Sequence, residues 1–206
     1  MKRTNRYLLS ILTLAVCLAA TPNGRAEDPP PGKTTADLLG DLKKSSETAA
    51  DPEVKALGAD LGSKVGKLND SLADNPVAQG QLRNALGGVV GNSSPVGTLS
   101  TLQQLSQAKL TADQTKLAKD VYHTGSAYLV QKNLGSVEGA QSDVAQVVSS
   151  LRKGSPVEAL PALKNISQNA KMTQPQKEFV ASLTKSYAPG VQKAEDLLKG
   201  LPGIGK

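Results

Sequence analysis

His123 is the one histidine and Cys17 the one cysteine in this 206-residue chain. A protein-built zinc or redox-metal site draws several His or Cys ligands to one point, and here a second of either is missing. A general base is the other role a lone histidine could fill. The 61–62-residue spacing described below sets His123 against Lys185, which favours a polar residue on a helix surface. The carboxylates Asp37, Asp41, Asp60, Asp70, Asp120, Glu138, Asp143 and Glu178 are scattered, as expected of solvated helix faces. Serine is plentiful, but no G-x-S-x-G elbow or S-x-x-K with partners stands in a supporting context. Gly32-Lys33-Thr34 ends like a phosphate-binding loop, yet the motif wants Gly five residues before Gly32, where Glu27 stands. Asn92-Ser93-Ser94 and Asn165-Ile166-Ser167 fit the glycosylation triplet, a pattern common by chance. The sequence therefore assigns no catalytic, cofactor-binding or metal-binding residue and no cofactor, and it reads as a non-enzyme.

The N-terminus has the anatomy of an export signal. Lys2, Arg3 and Arg6 precede the 13-residue apolar run Leu8–Ala20, which is short for a membrane span. Small residues flank Arg25 at Gly24 and Ala26, so cleavage after Ala26 is expected, with Ala20 as the alternative. Residues 1–26 hold four bases and no acid, so the remainder carries 20 bases against 18 acids. Most of the basic character thus belongs to the expected signal. With aromatics at 2% of the chain, a nucleic-acid surface of clustered bases and stacking rings is disfavoured. Cys17 is read as signal filler. Its alternative, a lipid anchor, rests on Leu14-Ala15-Val16-Cys17, which departs from a lipobox at Val16. Residues 27–33 form a Pro-rich linker with three consecutive prolines, which favours an extended spacer.

Positioning in the rest of the chain falls to helices, and the strongest signal is an internal repeat. Residues 94–107 match 155–168, and after one inserted residue 108–114 match 170–176, with identity at 11 of 21 positions. Chance would give about one or two at ordinary composition. Ser94-Pro95 and Ser155-Pro156 both read as a helix N-cap followed by Pro at the first helical position, and Ser155 with Glu158 reads as a capping box. Thr111 and Thr173 open a second helix in each copy. Val96-Leu99-Leu102-Leu105 and Val157-Leu160-Leu163-Ile166 are expected to face the core alike. Ala78, Gln79, Leu82, Ala85, Leu86 and Val89 pair more weakly with Ala140, Gln141, Val144, Val147, Val148 and Leu151, as Val130-Gln131-Lys132 pairs with Val191-Gln192-Lys193. A degraded first copy places Leu39, Leu42, Asp51, Leu57, Asp60 and Leu61 60 residues before Leu99, Leu102, Thr111, Leu117, Asp120 and Val121.

The expected fold is all-α: about eight helices from a two- to threefold repeat of about 60 residues, arranged as a helical-repeat stack or a bundle. Apolar spacing puts short helices at 35–47, 95–108 and 156–169, long ones at 52–73, 112–133 and 174–187, and medium ones at 77–90 and 138–152. Pro189-Gly190 is expected to interrupt the last long helix, leaving a short piece at 191–199. One domain, residues 34–199, would comprise units 34–93, 94–154 and 155–199, followed by a frayed tail, 200–206. Gly58, Gly62 and Gly66 recur every four residues, which suggests one face where a neighbouring helix comes close.

The functional expectation follows from this architecture: an exported, periplasmic or extracellular binding or scaffold module for another protein. The alternative is a carrier of an apolar small molecule or lipid between helices, lined by Leu, Val and Tyr122, Tyr128 or Tyr187. Neither reading involves nucleic acid, and no transmembrane segment is expected after the signal.

Overall fold

The computed structural model describes residues 32–91 and 93–199, with side chains to residue 188. The expected signal, most of the linker, Asn92 and the tail lie outside that range. Within it the chain is helical throughout, with eight α-helices and no strand among the described residues. They are α1 (Thr35–Glu47), α2 (Pro52–Ser71), α3 (Pro76–Val90), α4 (Pro95–Ser106), α5 (Ala112–Leu134), α6 (Gln141–Arg152), α7 (Leu160–Ser167) and α8 (Gln174–Lys199), with one 3-10 turn at Pro156–Ala159 before α7. No described helix is long and apolar enough to cross a membrane.

The helix starts follow from cap chemistry. Thr34 and Asp37 close a capping box over α1, and Thr111 and Gln114 close one over α5. Each box satisfies backbone donors that the first turn leaves free. Asp51 and Asn75 cap α2 and α3 through their side chains, each ahead of Pro at the helix start. Thr173 and Gln176 interact at the start of α8, where the Thr173 N–H donates to Gln176 Oε1 at 2.9 Å.

The core runs the length of the chain. Leu42, Leu57, Leu61, Leu68, Leu82, Leu99, Leu105, Val121, Tyr128, Val147, Leu163 and Phe179 are all buried in one cluster. The long helix α5 is central. It packs on α2, α4 and α6, while α1 bridges α2 and α3, α3 packs on α4, and α7 joins α6 to α8. Side-chain clips show that α2 and α5 run antiparallel. Near one end of the pair, Gln131 Nε2 donates to Asp51 Oδ2 at 2.6 Å. In the middle, Lys64 Nζ donates to Thr124 Oγ1 at 2.7 Å. At the other end, Gln114 Nε2 donates to the Ser71 carbonyl at 2.6 Å.

Several expectations change against this fold. The helix α8 runs through Pro189-Gly190 to Lys199 without interruption. Proline removes only the bond to the carbonyl four residues back, and that carbonyl belongs to exposed Lys185, where water can satisfy it. The helix α6 begins at Gln141, not near 138, because Gly139 has φ of +79° and cannot lie within a right-handed helix. Ser155 and Glu158 form no capping box. The Ser155 N–H that Glu158 would accept is donated to the Ser150 carbonyl at 3.0 Å, while Gly154, at φ +70°, donates to Leu151. Those two bonds are the Schellman closure of α6, and they consume the donor a box requires. Ser94 likewise begins α4 with no side-chain cap bond. Val157 is exposed although Leu163 and Ile166 are buried and Leu160 is partly so. It lies in the 3-10 turn, whose tighter winding turns Ala159 inward in its place.

Candidate functional site

Two places in the fold combine chemistry-bearing residues with an unusual environment. The first is a groove between α1 and α2, open to solvent, with a volume of about 840 Å³. Small residues of α2 lie along it: Gly58, Ala59, Gly62 and Ser63. Leu39 and Ser46 contribute from α1, with Lys43, Glu47 and Lys55 supplying charge.

The glycines beside this groove are not equivalent. A Cβ on Gly58 would collide with the Ser46 side chain and come to 3.5 Å of Tyr128 Cε2. One on Gly62 would meet only Leu42 Cδ2 at 4.0 Å, and one on Gly66 would meet nothing within 4 Å. Of the expected small-residue face, therefore, only Gly58 has a helix pressed against it. Ser46 is held there because its hydroxyl donates to the Leu42 carbonyl at 2.6 Å, which removes a polar group from an otherwise apolar contact. The same device recurs without the four-residue spacing. A Cβ on Gly88 would meet Thr98 Oγ1 at 2.8 Å across α3 and α4, and one on Gly125 would meet Leu102 Cδ1 at 2.9 Å across α5 and α4.

The second place is a polar-aromatic cluster where α5 meets α8, beside α2. His123 is half-buried, which corrects the expectation of a surface residue. Its ring centroid lies 5.4 Å from Tyr122 and 6.1 Å from Tyr187, the latter nearly stacked at 29°. Tyr122 and Tyr187 approach at 5.7 Å. His123 Nδ1, Ser126 Oγ and the hydroxyls of Tyr122 and Tyr187 are all buried without a formed hydrogen bond. The Tyr187 phenol is near enough to Ser126 and Tyr122 for its ionisation to feel them, though outside hydrogen-bond geometry. Burial pushes both phenols up, Tyr187 well above the ordinary tyrosine value. Burial also holds His123 below the ordinary histidine value. Asp120 opposes that shift, while Lys119 and Lys64 reinforce it. The sequence offered Tyr122 beside His123, but nothing in it pairs them with Tyr187, 64 residues on.

Lys64 and Thr124 stand in the spacing of a base and a hydroxyl nucleophile, but their environment argues against that chemistry. Thr124 is buried at 1% exposure, and Lys64 is held by Asp60 at 3.0 Å as well as by Thr124. A lysine paired with a carboxylate is a poor base, and a buried hydroxyl meets no substrate. The pair ties α2 to α5.

Several of the other carboxylates serve caps and surface pairs. Asp37 closes the Thr34 box and is held below the usual range by those bonds. Asp41 pairs with Lys33 and Glu138 with Lys171. Asp143 accepts from Asn165 Nδ2 at 3.1 Å, so the exposed amide of the second glycosylation triplet is already engaged. The first triplet, at Asn92, lies outside the described residues. No group of three His, Cys, Asp or Glu side chains among the described residues is placed to hold a metal ion. Tyr122, Tyr128 and Tyr187, suggested above as the lining of a ligand cavity, are all buried in the apolar cluster. No protein-family model, curated protein or solved structure matches this chain.

Proposed function

We propose that this is an exported, non-enzymatic helical module that binds another protein through the α1/α2 groove. The observation that carries the reading is the groove itself. It is open to solvent, has small residues on its α2 side where another chain can come close, and is edged by charge of both signs. Grooves of this form recur where helical-repeat proteins bind partners. Export rests on the basic start and apolar run of residues 1–20, and a lipid anchor through Cys17 is the variant of that proposal.

A threefold repeat is part of the same proposal, and three structural features support it. A long helix stands between two shorter ones in both α1–α3 and α4–α6, and a short, interrupted helix before a long one closes the series. The weakly matched positions Ala78, Leu82, Ala85, Leu86 and Val89, and their counterparts Ala140, Val144, Val147, Val148 and Leu151, are all buried. Gln114 donates to the Ser71 carbonyl and Gln176 to the Asn133 carbonyl at 2.8 Å, the same clip displaced by 62 residues at both ends. One departure is plain. The helix α3 leans on α1, whereas α6 leans on α5.

Native mass spectrometry of protein purified from its own host tests the binding reading. The expected result is a protein-sized adduct that disappears in Ala59→Arg, which fills the groove. An adduct of a few hundred daltons, retained by Ala59→Arg, would instead establish the carrier of an apolar small molecule.

A further inference from the structure

We infer that His123 is an acid-sensitive latch that holds the C-terminal helix α8 against α5 while neutral and loosens it on protonation. His123 lies against Tyr122 of its own helix and, nearly stacked at 6.1 Å, against Tyr187 of α8. Among the described side chains, Tyr187 meets Tyr122 of α5 at this end, while at the other end Gln176 of α8 donates to the Asn133 carbonyl of α5. Otherwise α8 packs chiefly on α7, with smaller contacts to the 3-10 turn and to α4. His123 Nδ1 is buried and has no hydrogen-bond partner. A neutral imidazole tolerates this by leaving Nδ1 as a bare acceptor with the proton on Nε2. Protonation turns Nδ1 into an unpaired buried donor and places a charge where burial strips its hydration, which is more costly.

The surrounding charges do not offset that cost. From α5, Lys119 opposes a cationic His123 and Asp120 favours it. From α2, Lys64 opposes it, its own charge partly met by Asp60. From α8, the described neighbour is the Tyr187 phenol, which burial keeps neutral. Burial is the largest influence on His123, and it lowers the affinity for a proton in the folded state. The unfolded chain therefore binds a proton that the folded one does not. Stability is complete above the ordinary histidine value of 6.5 and falls as pH drops from there towards the lower folded value. The loss is directed at α8 because the strained contact is the one that α8 makes.

The full chain gives two readouts. The single histidine yields one set of imidazole resonances, and their titration midpoint should lie below the ordinary histidine value. Glutamyl endopeptidase should cut at exposed Glu178 in α8 several-fold faster at pH 5 in the native protein than in His123→Phe at the same pH. The two proteins should be cut alike at pH 7.5, with helical circular dichroism retained throughout. Equal cutting at pH 5, or a titration midpoint at or above the ordinary value, overturns the latch. Should His123→Phe fail to fold, the uncharged His123→Gln takes its place in the same comparison.

Discussion

Glycine 58 is where one atom decides how close two helices lie. Elsewhere in a helix, replacing Gly by Ala stabilises by about 1 kcal/mol, since Ala loses less backbone freedom on folding. At Gly66 nothing opposes that gain, because the added methyl meets open space. At Gly58 the same methyl meets the Ser46 side chain, whose Cβ lies 2.5 Å from it, and Ser46 is fixed by its bond to the Leu42 carbonyl. Relief requires α1 to move off α2, and overpacking of this kind costs about 1–3 kcal/mol. We therefore expect Gly66→Ala to raise the midpoint of chemical denaturation and Gly58→Ala to lower it, although the substitution is the same. Two shifts of the same sign would show that the α1 contact sets no limit. The sequence pattern marked both residues alike, because periodicity places residues on a face but says nothing of which positions on it a neighbour reaches.

Between helices the informative residues are Gln114 and Gln176. Each side chain has two tasks. Its amide oxygen accepts from the N–H of Thr111 or Thr173, and its amide nitrogen donates to a carbonyl at the end of the preceding long helix. Glutamate could do the first and would add a negative charge at a helix N-terminus, which favours it. It could not do the second, and a carboxylate would face the Ser71 or Asn133 carbonyl. Gln114→Glu and Gln176→Glu should therefore each destabilise by about 1 kcal/mol, read from denaturant midpoints. Unchanged or raised midpoints would mean that capping alone accounts for both residues. Much at this scale was legible beforehand. Helix positions followed from apolar steps and from caps such as Thr111, and α1 spans the residues expected of it. The failures have local backbone causes that apolar spacing does not carry. Ser155 had already given its N–H to the end of α6, and the positive φ of Gly139 moved the start of α6. The cluster at His123 was illegible for a different reason: it is made by the docking of α8, and spacing along one helix does not encode that contact.

Over the whole molecule, the question is whether the three short–long helix pairs share one core or form separable parts. One apolar cluster includes Leu42 of α1, Leu102 of α4 and Leu163 of α7, and α5 joins α2, α4 and α6. An aspartate at a buried leucine leaves a carboxylate without a partner among apolar atoms, at a cost of several kcal/mol, comparable to much of a domain's stability. Leu102 is 2% exposed and lies against Gly125 of the central helix, whereas Leu163 is fully buried near the C-terminal end. If the chain is one cooperative unit, Leu102→Asp and Leu163→Asp both lower the thermal midpoint of the entire circular dichroism signal, in a single transition. If the helical units are only loosely coupled, as in long repeat arrays, the two variants behave differently. Leu163→Asp would then release α7 and α8 first, in a separate low-temperature step, while Leu102→Asp would unfold the centre. The continuity of the core and the clips along α2 and α5 predict the single transition. Melts of both variants that matched the parent would show that neither position belongs to the core.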